Sequence, residues 1–469
     1  MCNEVRPQIK FGTDGWRGVI SDNFTFENVR IVAQAISDYY NARSPKPEAV
    51  VGFDTRFLSA RYGAIVSEVL SANGIDVVIS DRAVPTPCLS FAVKNRKRTF
   101  GVMITASHNP AEYNGIKIKT ADGGAAGVDV TKEVEKLIAQ PAPAEKRAPG
   151  KISKEDLVTG YVRFLRGYVD MKKLKTAKFR VLVDAMHGSG NSYFKDVLGD
   201  SKIKLEFERA DVNPSFEGLK PEPVLDYLLR TQARMKKEKF DLGVVLDGDA
   251  DRIAAFAGSG EFLNPQKVLG MLILHLVQDR GMTGGVVKTV VGTNLIDTIC
   301  GKLGLKLYET PVGFKYISEL MVTKDIIVGG EEAGGIGFKD YIPERDGTLA
   351  GLLLMEMMVD RKQSILEILK DMEKEFGRYY YSRDEIKLNA AGRVDLNDFK
   401  GLKKVLGRAV TDVKDGDGIK FILDDGSWLI LRASGTEPII RVYAESKSAK
   451  TTDEMLAFGR KLILQGPRG

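Results

Sequence analysis

The apolar and polar positions of the first hundred residues alternate between two periods, one typical of buried strands and one typical of amphipathic helices. Residues 49–53 form an apolar run that predicts a strand. Apolar residues at helical spacing follow over 64–70, and Asn73-Gly74 predicts the end of that helix before a second strand at 77–79. Together these segments predict a β-α-β unit.

Strand and helix signals continue to alternate through the first three quarters of the chain, with another buried strand predicted at 178–183. The last quarter differs in character. Two short apolar runs, 420–423 and 428–431, flank the turn Asp424-Asp425-Gly426 and predict a hairpin, and helical spacing returns at 452–464. We therefore predict an α/β protein whose C-terminal part is α+β.

Three changes in composition predict domain boundaries. Residues 140–151 carry three prolines and predict a linker. A second boundary is expected near Gly258-Ser259-Gly260, and a third between Phe376 and Asp384. The four predicted domains span residues 1–150, 151–258, 259–376 and 377–469.

The composition is that of an ordinary globular protein. Of 469 residues, 69 are basic and 63 acidic, which gives a net charge of +6, and 43% are hydrophobic. The charges are spread along the chain without a basic tail, so we expect no nucleic-acid partner. Cys2, Cys88 and Cys300 are too scattered for a disulfide framework or a zinc site. Neither an apolar signal core nor a run of membrane-spanning length is present, so we expect a cytoplasmic protein without a membrane partner.

The segment most informative about function is Thr105-Ala106-Ser107-His108-Asn109-Pro110, which follows the apolar run 100–104. That run predicts a buried strand, so Ser107 is expected on a rigid turn at its end. A hydroxyl on such a turn suits a group that is phosphorylated and then meets a partner in fixed geometry. An ordinary strand-to-loop turn is the alternative for this segment taken alone.

A second segment, Asp247-Gly248-Asp249-Ala250-Asp251-Arg252, follows the strand-like run 242–246. Carboxylates at every second position point the same way if the backbone stays extended, so three oxygen donors are expected to converge on one hard cation. The calcium-hand pattern is excluded, because it needs glycine and glutamate where this chain has Arg252 and Gly258. Three ligands leave part of the octahedral shell of Mg²⁺ open to a phosphate oxygen. A solvated acidic turn is the alternative.

Two further segments suit recognition of a phosphorylated sugar. In Gly330-Glu331-Glu332-Ala333-Gly334-Gly335, glycines allow close approach of a ligand and carboxylates accept hydrogen bonds from sugar hydroxyls. In Arg432-Ala433-Ser434-Gly435-Thr436-Glu437-Pro438, an arginine fork stands beside amides and hydroxyls that can form an anion nest. A common Gly-Glu turn and a structural hairpin loop are the respective alternatives.

These four segments, in this order, resemble the motifs of the α-D-phosphohexomutase superfamily, whose members include phosphoglucomutase, phosphomannomutase and phosphoglucosamine mutase. The resemblance covers almost the whole chain and extends to FGTDGWRG at 11–18, GFDTR at 52–56 and YNGIK at 113–117. It implies three similar α/β domains with mixed sheets and a C-terminal α+β domain, arranged around a central cleft. It also implies interconversion of hexose 1-phosphate and hexose 6-phosphate through a phosphoserine and a bisphosphorylated sugar.

The resemblance implies the chemistry at the reacting phosphate. Ser107 matches the family's phosphoserine, and its phosphate would be one more ligand of the metal. Arg252 would steady that phosphate, while Arg17 and His108 would lie near it. The residues that match the family's Mg²⁺ ligands are Ser107, Asp247, Asp249 and Asp251.

Lys117 resembles the family's general base, which takes the proton of the attacking sugar hydroxyl. That role requires a lowered pKa, and burial among cations would have to lower it. An ordinary surface lysine is the alternative.

The resemblance also implies where the sugar and its second phosphate bind. Glu331 and Lys315 resemble sugar contacts. Ala333 and Gly335 depart from the loops of both phosphoglucosamine mutases and dual mannose/glucose enzymes, whereas residues 310–315 resemble the loop of glucose-preferring members. We therefore expect glucose phosphate as substrate, mannose phosphate as a second substrate and phosphoglucosamine mutase as the alternative activity. The residues implied in substrate binding are Lys315, Glu331, Ala333, Arg432, Ser434, Gly435, Thr436 and Arg441.

The implied cofactors are Mg²⁺ and a hexose 1,6-bisphosphate activator, and the implied partners are small sugar phosphates, with the protein a monomer or homodimer. A non-catalytic sugar-phosphate sensor on the same fold is a weaker hypothesis, because such a protein would tolerate loss of Ser107 or of an aspartate ligand. A serine hydrolase would need a G-x-S-x-G segment and a nucleotide-dependent kinase a Walker loop, and the sequence contains neither.

Overall fold

The computed structural model describes residues 9–140, 147–387, 394–433 and 439–466. The chain folds into two compact units. The first comprises the residues up to 287 together with 313–369, and the second comprises 288–312 together with the residues from 370 onward. Within the described ranges, each helix is too short or too polar to cross a lipid bilayer.

The first sheet of the first unit is mixed. Its strands are β1 (Trp16–Val19), β2 (Glu48–Phe53), β3 (Asp76–Ser80), β4 (Phe100–Ile104), β5 (Tyr113–Lys119) and β6 (Ile152–Glu155), in the order β1-β5-β4-β2-β3-β6. The helices of this region are α1 (Phe26–Asn41), α2 (Ser59–Ala72), α3 (Thr86–Asn95) and α4 (Val128–Ala139). The predicted β-α-β unit is confirmed, because β2 and β3 are parallel, α2 connects them and Asn73 caps α2.

Strand β4 is buried along its whole length, as predicted. It lies between parallel β2 and antiparallel β5, with Ile104 opposite Phe53 on one side and Ile116 on the other. Strand β6 pairs with β3 although it begins just after residue 150. The predicted linker lies partly in 141–146, outside the described residues, and the three domain boundaries stay predictions.

The second sheet of the first unit is also mixed. Its strands are β7 (Arg180–Asp184), β8 (Lys204–Glu208), β9 (Leu242–Leu246), β10 (Ile253–Ala257) and β11 (Phe262–Leu263), in the order β11-β10-β9-β7-β8. Its helices are α5 (Val158–Tyr168), α6 (Met171–Thr176), α7 (Tyr193–Leu198) and α8 (Leu229–Lys237). The buried strands predicted at 178–183 and 242–246 are therefore confirmed as β7 and β9, and the acidic segment begins directly where β9 ends.

The next part of the chain contributes to both units. Its strands are β12 (Gly285–Thr289), β13 (Leu307–Thr310), β14 (Ile326–Gly330) and β15 (Ile336–Phe338), and its helices are α9 (Pro265–Leu274), α10 (Asn294–Leu303), α11 (Phe314–Thr323), α12 (Gly347–Arg361) and α13 (Ile365–Phe376). In the first unit, β14 and β15 are antiparallel with Val328 opposite Phe338. The segment 330–335 forms the turn between these two strands.

The C-terminal part of the second unit is an antiparallel sheet with one long helix. Its strands are β16 (Tyr380–Lys387), β17 (Lys404–Val405), β18 (Arg408–Lys414), β19 (Ile419–Leu423), β20 (Trp428–Ala433) and β21 (Ile439–Ser446), in the order β16-β21-β20-β19-β18-β17, and the helix is α14 (Ala449–Gln465). The predicted hairpin is confirmed, since Phe421 of β19 lies opposite Leu429 of β20. The apolar side chains of β19 to β21 and α14 form a core that makes this part α+β, as predicted.

Candidate active site

The serine loop continues from the end of β4 as a tight turn. Ser107 adopts a left-handed backbone conformation with φ 51°, and the Asn109 amide closes the turn on the Ala106 carbonyl at 3.0 Å. The side chain of Thr105 accepts the Ser107 amide at 2.8 Å. Non-glycine residues adopt positive φ rarely and at some cost, which points to a conformation required by its surroundings. Ser107 is 1% exposed, and its Oγ donates to Asp247 Oδ2 at 2.9 Å.

A buried arginine braces this loop from behind. Arg56 Nη2 donates to the carbonyls of Ser107 and Asn109, each at 2.6 Å, and Nη1 donates to the Pro110 carbonyl at 2.7 Å. Its Nε lies 3.3 Å from Asp54 Oδ2, and both side chains are fully buried. Sequence analysis placed Asp54 and Arg56 in the segment GFDTR and gave them no role. Three charge-assisted bonds from one rigid fork fix the serine loop in one conformation.

The acidic segment after β9 is a turn, so the expectation of an extended backbone was wrong. Ala250 has φ 55°, and its amide donates to the Asp247 carbonyl at 3.1 Å. The turn still brings carboxylate oxygens of Asp247, Asp249 and Asp251 within 4.8 Å of one another, and all three residues are fully buried. Gly248 lets the turn approach the serine loop, because a Cβ there would lie 2.4 Å from the Ser107 carbonyl oxygen.

These aspartates form a site that fits a hard cation. Burial, and then repulsion from Asp251 and Asp249, raises the pKa of Asp247 well above its ordinary value. Oδ1 of Asp249 and Oδ1 of Asp251 are buried and find no hydrogen-bond partner among the described residues. Unpartnered carboxylate oxygens are costly in a buried site unless a cation binds them, and oxygen is the ligand that Mg²⁺ prefers. A solvated acidic turn is excluded by this burial.

Lys117 lies on β5 among carboxylates, so the burial among cations that a lowered pKa would require is not met. Its Nζ contacts Asp249 Oδ2 at 2.8 Å, Asp251 Oδ2 at 3.0 Å and Asp14 Oδ2 at 2.9 Å. Burial by itself lowers the pKa of Lys117, but the three carboxylates outweigh burial and hold this pKa above its ordinary value. With 1% of its surface exposed, Lys117 is not an ordinary surface lysine.

Arg345, which sequence analysis missed, connects the three aspartates to the segment 330–335. Its guanidinium contacts Asp14, lies 2.7 Å from Asp251 Oδ2 and 3.3 Å from Glu331 Oε2, and stacks over the Phe314 ring at 5.3 Å. Its only visible signal is a position just before α12, where the next residue, Asp346, caps the helix. Nothing in that local pattern predicts a buried arginine with partners from three other segments.

The other residues expected at the reacting phosphate lie around the serine loop. Arg17 Nη1 donates to Asn109 Oδ1, and burial, with a further contribution from Arg252, lowers the pKa of Arg17. His108 Nδ1 is 3.4 Å from Ser107 Oγ. The Arg252 amide donates to Asp247 Oδ1 at 3.1 Å. The structure thus places the half-buried residues Arg17, His108 and Arg252 around the buried Ser107 and its three neighbouring aspartates.

Residues 330–335 form a tight turn beside this cluster. The Glu331 amide donates to the Gly335 carbonyl at 2.9 Å, and Gly335 forms a β-bridge with Arg252. Burial raises the pKa of Glu331 to about 7, against a smaller opposing effect of Arg345. Ala333 is half-buried in the same turn.

Lys315 lines a small cleft next to the same cluster. The cleft is formed with residues 11–15, including Asp14, and with Ile118, Ala126 and Thr131. Burial lowers the pKa of Lys315, and Asp14 opposes the change. Because Asp14 contacts Lys117 as well, the cleft adjoins the buried charges.

The residues expected to bind the second phosphate belong to the second unit. Arg432 on β20 and Arg441 on β21 are direct partners across the strand ladder. Arg432 Nε donates to Asp417 Oδ1 at 2.8 Å, and Arg441 Nε donates to Glu385 Oε1 at 2.9 Å. The remaining expected residues, Ser434, Gly435 and Thr436, lie outside the described residues.

A second group of acidic side chains in the first unit is already neutralised by cations. Arg361 Nε lies 2.9 Å from Asp279 Oδ2, and Glu356 Oε1 lies 3.3 Å from Arg280 Nε. Asp360 pairs with Lys173. These charges balance among themselves, so this group is assigned to structure.

Comparison with known proteins supports a single family. Profiles for the three phosphoglucomutase/phosphomannomutase alpha/beta/alpha domains match residues 8–145, 159–260 and 264–376, and the profile for the C-terminal domain matches 385–460. A phosphoglucomutase/phosphomannomutase of Thermococcus kodakarensis is 31% identical, with 98% of this chain and 99% of the relative covered. A phosphoglucosamine/phosphogalactosamine mutase of Sulfurisphaera tokodaii is 30% identical, with 97% and 98% covered.

Solved structures agree. A Thermus thermophilus protein assigned as a phosphomannomutase is 34% identical with a TM-score of 0.88, and 98% of this chain and 100% of that one are covered. An Aspergillus fumigatus N-acetylphosphoglucosamine mutase, solved with GlcNAc-6P and magnesium, shares the fold at 17% identity and a TM-score of 0.63, with 98% of this chain and 96% of that one covered.

Fold and sequence therefore place the protein in the α-D-phosphohexomutase superfamily. Within it, the chain belongs to the phosphoglucomutase/phosphomannomutase family and is a mutase. The predicted family, enzyme class and fold are confirmed.

Replacing Arg345 with lysine is expected to lower kcat/KM by about 10- to 100-fold, because lysine keeps the charge but loses the fork that joins Asp14, Asp251 and Glu331. Steady-state kinetics at saturating Mg²⁺ measure the effect. Arg280→Lys is the matched control, since Arg280 also pairs with a buried carboxylate and stacks on an aromatic ring, at 5.1 Å over Tyr168, outside the site. Equal losses in the two variants would show that Arg345 acts only on stability.

Proposed function

We propose that the protein interconverts hexose 1-phosphate and hexose 6-phosphate, with glucose phosphate preferred and mannose phosphate as a second substrate, and that Ser107 carries the phosphoryl group. The observation that supports this proposal is the 2.9 Å hydrogen bond from Ser107 Oγ to Asp247 in a buried, metal-competent cluster. A buried site that excludes water suits a phosphoryl group that must not be lost to hydrolysis.

In the proposed reaction, the bond between Ser107 Oγ and phosphorus breaks while phosphorus bonds to a hydroxyl oxygen of the sugar monophosphate. The product is a bisphosphorylated sugar, which turns over and returns its other phosphoryl group to Ser107 Oγ. Such an intermediate accounts for a hexose 1,6-bisphosphate activator, because this compound rephosphorylates a free Ser107. Arg17, His108 and Arg252 surround the position of the transferring group and stabilise its charge.

The residues proposed to hold Mg²⁺ are Asp247, Asp249 and Asp251, with a Ser107 phosphate oxygen as a further ligand. When bound, Mg²⁺ polarises the transferring phosphoryl group and neutralises these carboxylates. The magnesium bound to the Aspergillus fumigatus relative supports this choice of ion. Lys117 Nζ is an ammonium in the present arrangement, because the carboxylates beside it raise its pKa. As a base it must first release one proton to solvent, which becomes easier once these carboxylates are neutralised; we propose that the free amine then accepts the hydroxyl proton.

For the sugar, we propose contacts from Glu331, Lys315 and the turn that contains Ala333. The segment 310–315 favours glucose, while the Sulfurisphaera tokodaii relative supports glucosamine phosphate as a second candidate. A coupled mutase assay with the 1-phosphates of α-D-glucose, α-D-mannose and α-D-glucosamine, supplied with Mg²⁺ and the matching bisphosphate, decides between them. A kcat/KM for glucosamine 1-phosphate above that for glucose 1-phosphate would overturn the preference, and turnover of none of the three would overturn the proposed activity.

Glu331→Gln is expected to raise KM and lower kcat for glucose 1-phosphate, with kcat/KM falling by about 10- to 100-fold, because a mispositioned sugar costs on the order of 10²-fold in rate. Since the pKa of Glu331 is about 7, the residue is a carboxylate above and a neutral acid below that pH. A carboxylate accepts sugar hydroxyls better than a neutral acid, so the wild-type KM should fall as pH rises from 6 to 8. In the glutamine variant this dependence should disappear.

The neighbouring substitution Glu332→Gln is the control for Glu331→Gln, and it also corrects for titration of the substrate phosphate. Ala333→Ser adds a hydroxyl to the same turn. It should change the ratio of kcat/KM for glucose 1-phosphate to kcat/KM for mannose 1-phosphate, while the melting temperature should stay close to that of the wild type. If neither the ratio nor the pH dependence changes, sugar specificity must reside elsewhere, and the segment around Lys315 becomes the next candidate.

A further inference from the structure

The turn Asp417-Gly418 in the second unit connects two segments that are implicated in substrate binding. Asp417 Oδ1 accepts the hydrogen bond from Arg432 Nε at 2.8 Å, and Asp417 Oδ2 accepts one from the Val312 amide at 2.7 Å. Arg432 begins the proposed phosphate-binding segment, and Val312 belongs to the segment 310–315. One carboxylate therefore holds both segments at once.

Close packing fixes this turn against Arg432. Gly418 has φ +80°, and a Cβ there would lie 2.6 Å from the Leu431 carbonyl oxygen and 2.9 Å from Arg432 Cβ. A larger residue would force the turn away from β20. The carboxylate of Asp417 is thus placed beside the guanidinium by the backbone and not only by its own side-chain rotamer.

The strand that leads to Val312 is anchored to the same sheet by separate contacts. Glu309 on β13 pairs with Lys414 of β18 at 3.0 Å. The Val290 amide donates to the Thr310 carbonyl at 2.8 Å, and Lys420 of β19 donates to the Val290 carbonyl at 2.7 Å. These contacts hold the chain as far as Thr310. Beyond it, the side chain of Val312 packs against an apolar cluster that includes Trp428 and Tyr443, and Asp417 fixes the Val312 backbone through its amide.

The geometry also determines how Arg432 can meet an anion. A guanidinium group has two edges that can bind two oxygens at once, and one of them contains Nε. Asp417 occupies Nε, so the outer edge formed by the two terminal nitrogens is the one available for a bidentate contact with a phosphate. Holding the long side chain in this orientation before binding reduces the entropy lost when the phosphate arrives.

We propose that Asp417 is a positioning residue for substrate binding, which presents the outer edge of Arg432 to the substrate phosphate and couples that contact to the order of residues 310–312. The proposal rests on the proposed function, because it takes Arg432 as a phosphate ligand. Asp417 itself makes no contact with substrate.

Asp417→Asn tests this role, because asparagine keeps the shape but loses the charge and one of the two acceptor oxygens. KM for glucose 1-phosphate is expected to rise about 10- to 100-fold, as for other residues that orient a binding group, while kcat at saturation falls less than about threefold. The phosphate mass on Ser107 and the Mg²⁺ requirement should be unchanged. Asp417→Glu, which restores both acceptors, should recover part of the affinity.

Hydrogen exchange provides a readout that a purely structural role would not change. In the wild-type protein, glucose 1-phosphate should slow exchange in a peptide covering residues 308–316. In Asp417→Asn, saturating glucose 1-phosphate should no longer protect this peptide, because the link from Arg432 to Val312 is broken.

Asp425→Asn is the matched control. Asp425 also accepts an arginine Nε, from Arg408 at 2.7 Å, and also precedes a glycine of positive φ, Gly426. It should leave KM and the protection of 308–316 as in the wild type. Arg432→Ala separates the role of Arg432 from the role of Asp417. If it leaves KM unchanged, the proposed role of Arg432 fails; if it raises KM while Asp417→Asn does not, only the role of Asp417 is overturned.

Discussion

Replacing Ser107 with alanine is expected to abolish the covalent phosphate and to lower turnover by at least about 10³-fold, equivalent to about 4 kcal/mol of transition-state stabilisation at tenfold per 1.36 kcal/mol. The reason is that Oγ is the only atom proposed to hold the phosphoryl group between the two half-reactions. Its burial and its bond to Asp247 give the transfer its fixed geometry. Intact-mass analysis of the purified protein and the coupled mutase assay measure the two losses.

Ser189→Ala is the matched control for this variant. Ser189 is also a buried serine beside the acidic turn, and its Oγ donates to the Gly248 carbonyl at 3.3 Å. We expect Ser189→Ala to retain the phosphate mass and most of the turnover. Undiminished turnover in Ser107→Ala, or a phosphate mass that persists there, would assign the carrier to another residue.

The fold was predictable because its signals are local. Apolar runs of five residues such as 100–104 and 242–246 favour buried strands because they are too short for a typical helix, and the glycine after Asn73 favours the end of a helix. The hairpin at 419–433 follows from two apolar runs around an Asp-Gly turn. Only element ends differ, as in α14, which begins at Ala449 because Ser448 provides its N-cap.

The site was predictable only where its residues form a contiguous motif. Ser107 and the three aspartates were found from their neighbours in sequence, although the aspartates converge through a left-handed Ala250 and not through an extended strand. The environment of Lys117 could not be predicted, because Asp14 reaches it from a segment about a hundred residues away. A buried charge is stable only through its partners, and those partners are set by tertiary packing.

The same reasoning explains why Arg345 was missed. Its local sequence, Glu344-Arg345-Asp346, is equally consistent with a solvated helix start. In the structure it acts together with Lys117, because both cations contact Asp14 and Asp251 and offset the repulsion between these carboxylates. Sequence motifs therefore locate the groups that are proposed to react, while the groups that hold them in place appear only in three dimensions.

Removal of divalent metal is expected to abolish activity, and Mg²⁺ is expected to restore it. Asp247, Asp249 and Asp251 place three carboxylates within 4.8 Å of one another in a fully buried site, and Lys117 lies against two of them. The pKa of Asp247 is raised first by burial and then by repulsion from Asp251 and Asp249. A bound cation would favour the charged carboxylate against both effects. Activity after dialysis against a chelator, measured as Mg²⁺ is added back, tests the expectation.

Asp249→Asn should lower kcat by at least about 10²-fold with a smaller effect on KM, because the metal acts on the transferring group. The variant also leaves Lys117 with one carboxylate fewer, which by itself destabilises a buried ion pair.

A second measurement, the melting temperature with and without Mg²⁺, therefore separates folding from metal binding. At about 100 times its Kd, Mg²⁺ should stabilise the wild-type protein by about 2.7 kcal/mol, seen as a higher Tm, and should stabilise Asp249→Asn much less. Asp360→Asn is the control: it removes a carboxylate that is paired with Lys173, and it should keep the full Mg²⁺ response. An Asp249→Asn variant with the wild-type Mg²⁺ response, or a wild-type protein active in excess chelator, would exclude the three aspartates as the metal site.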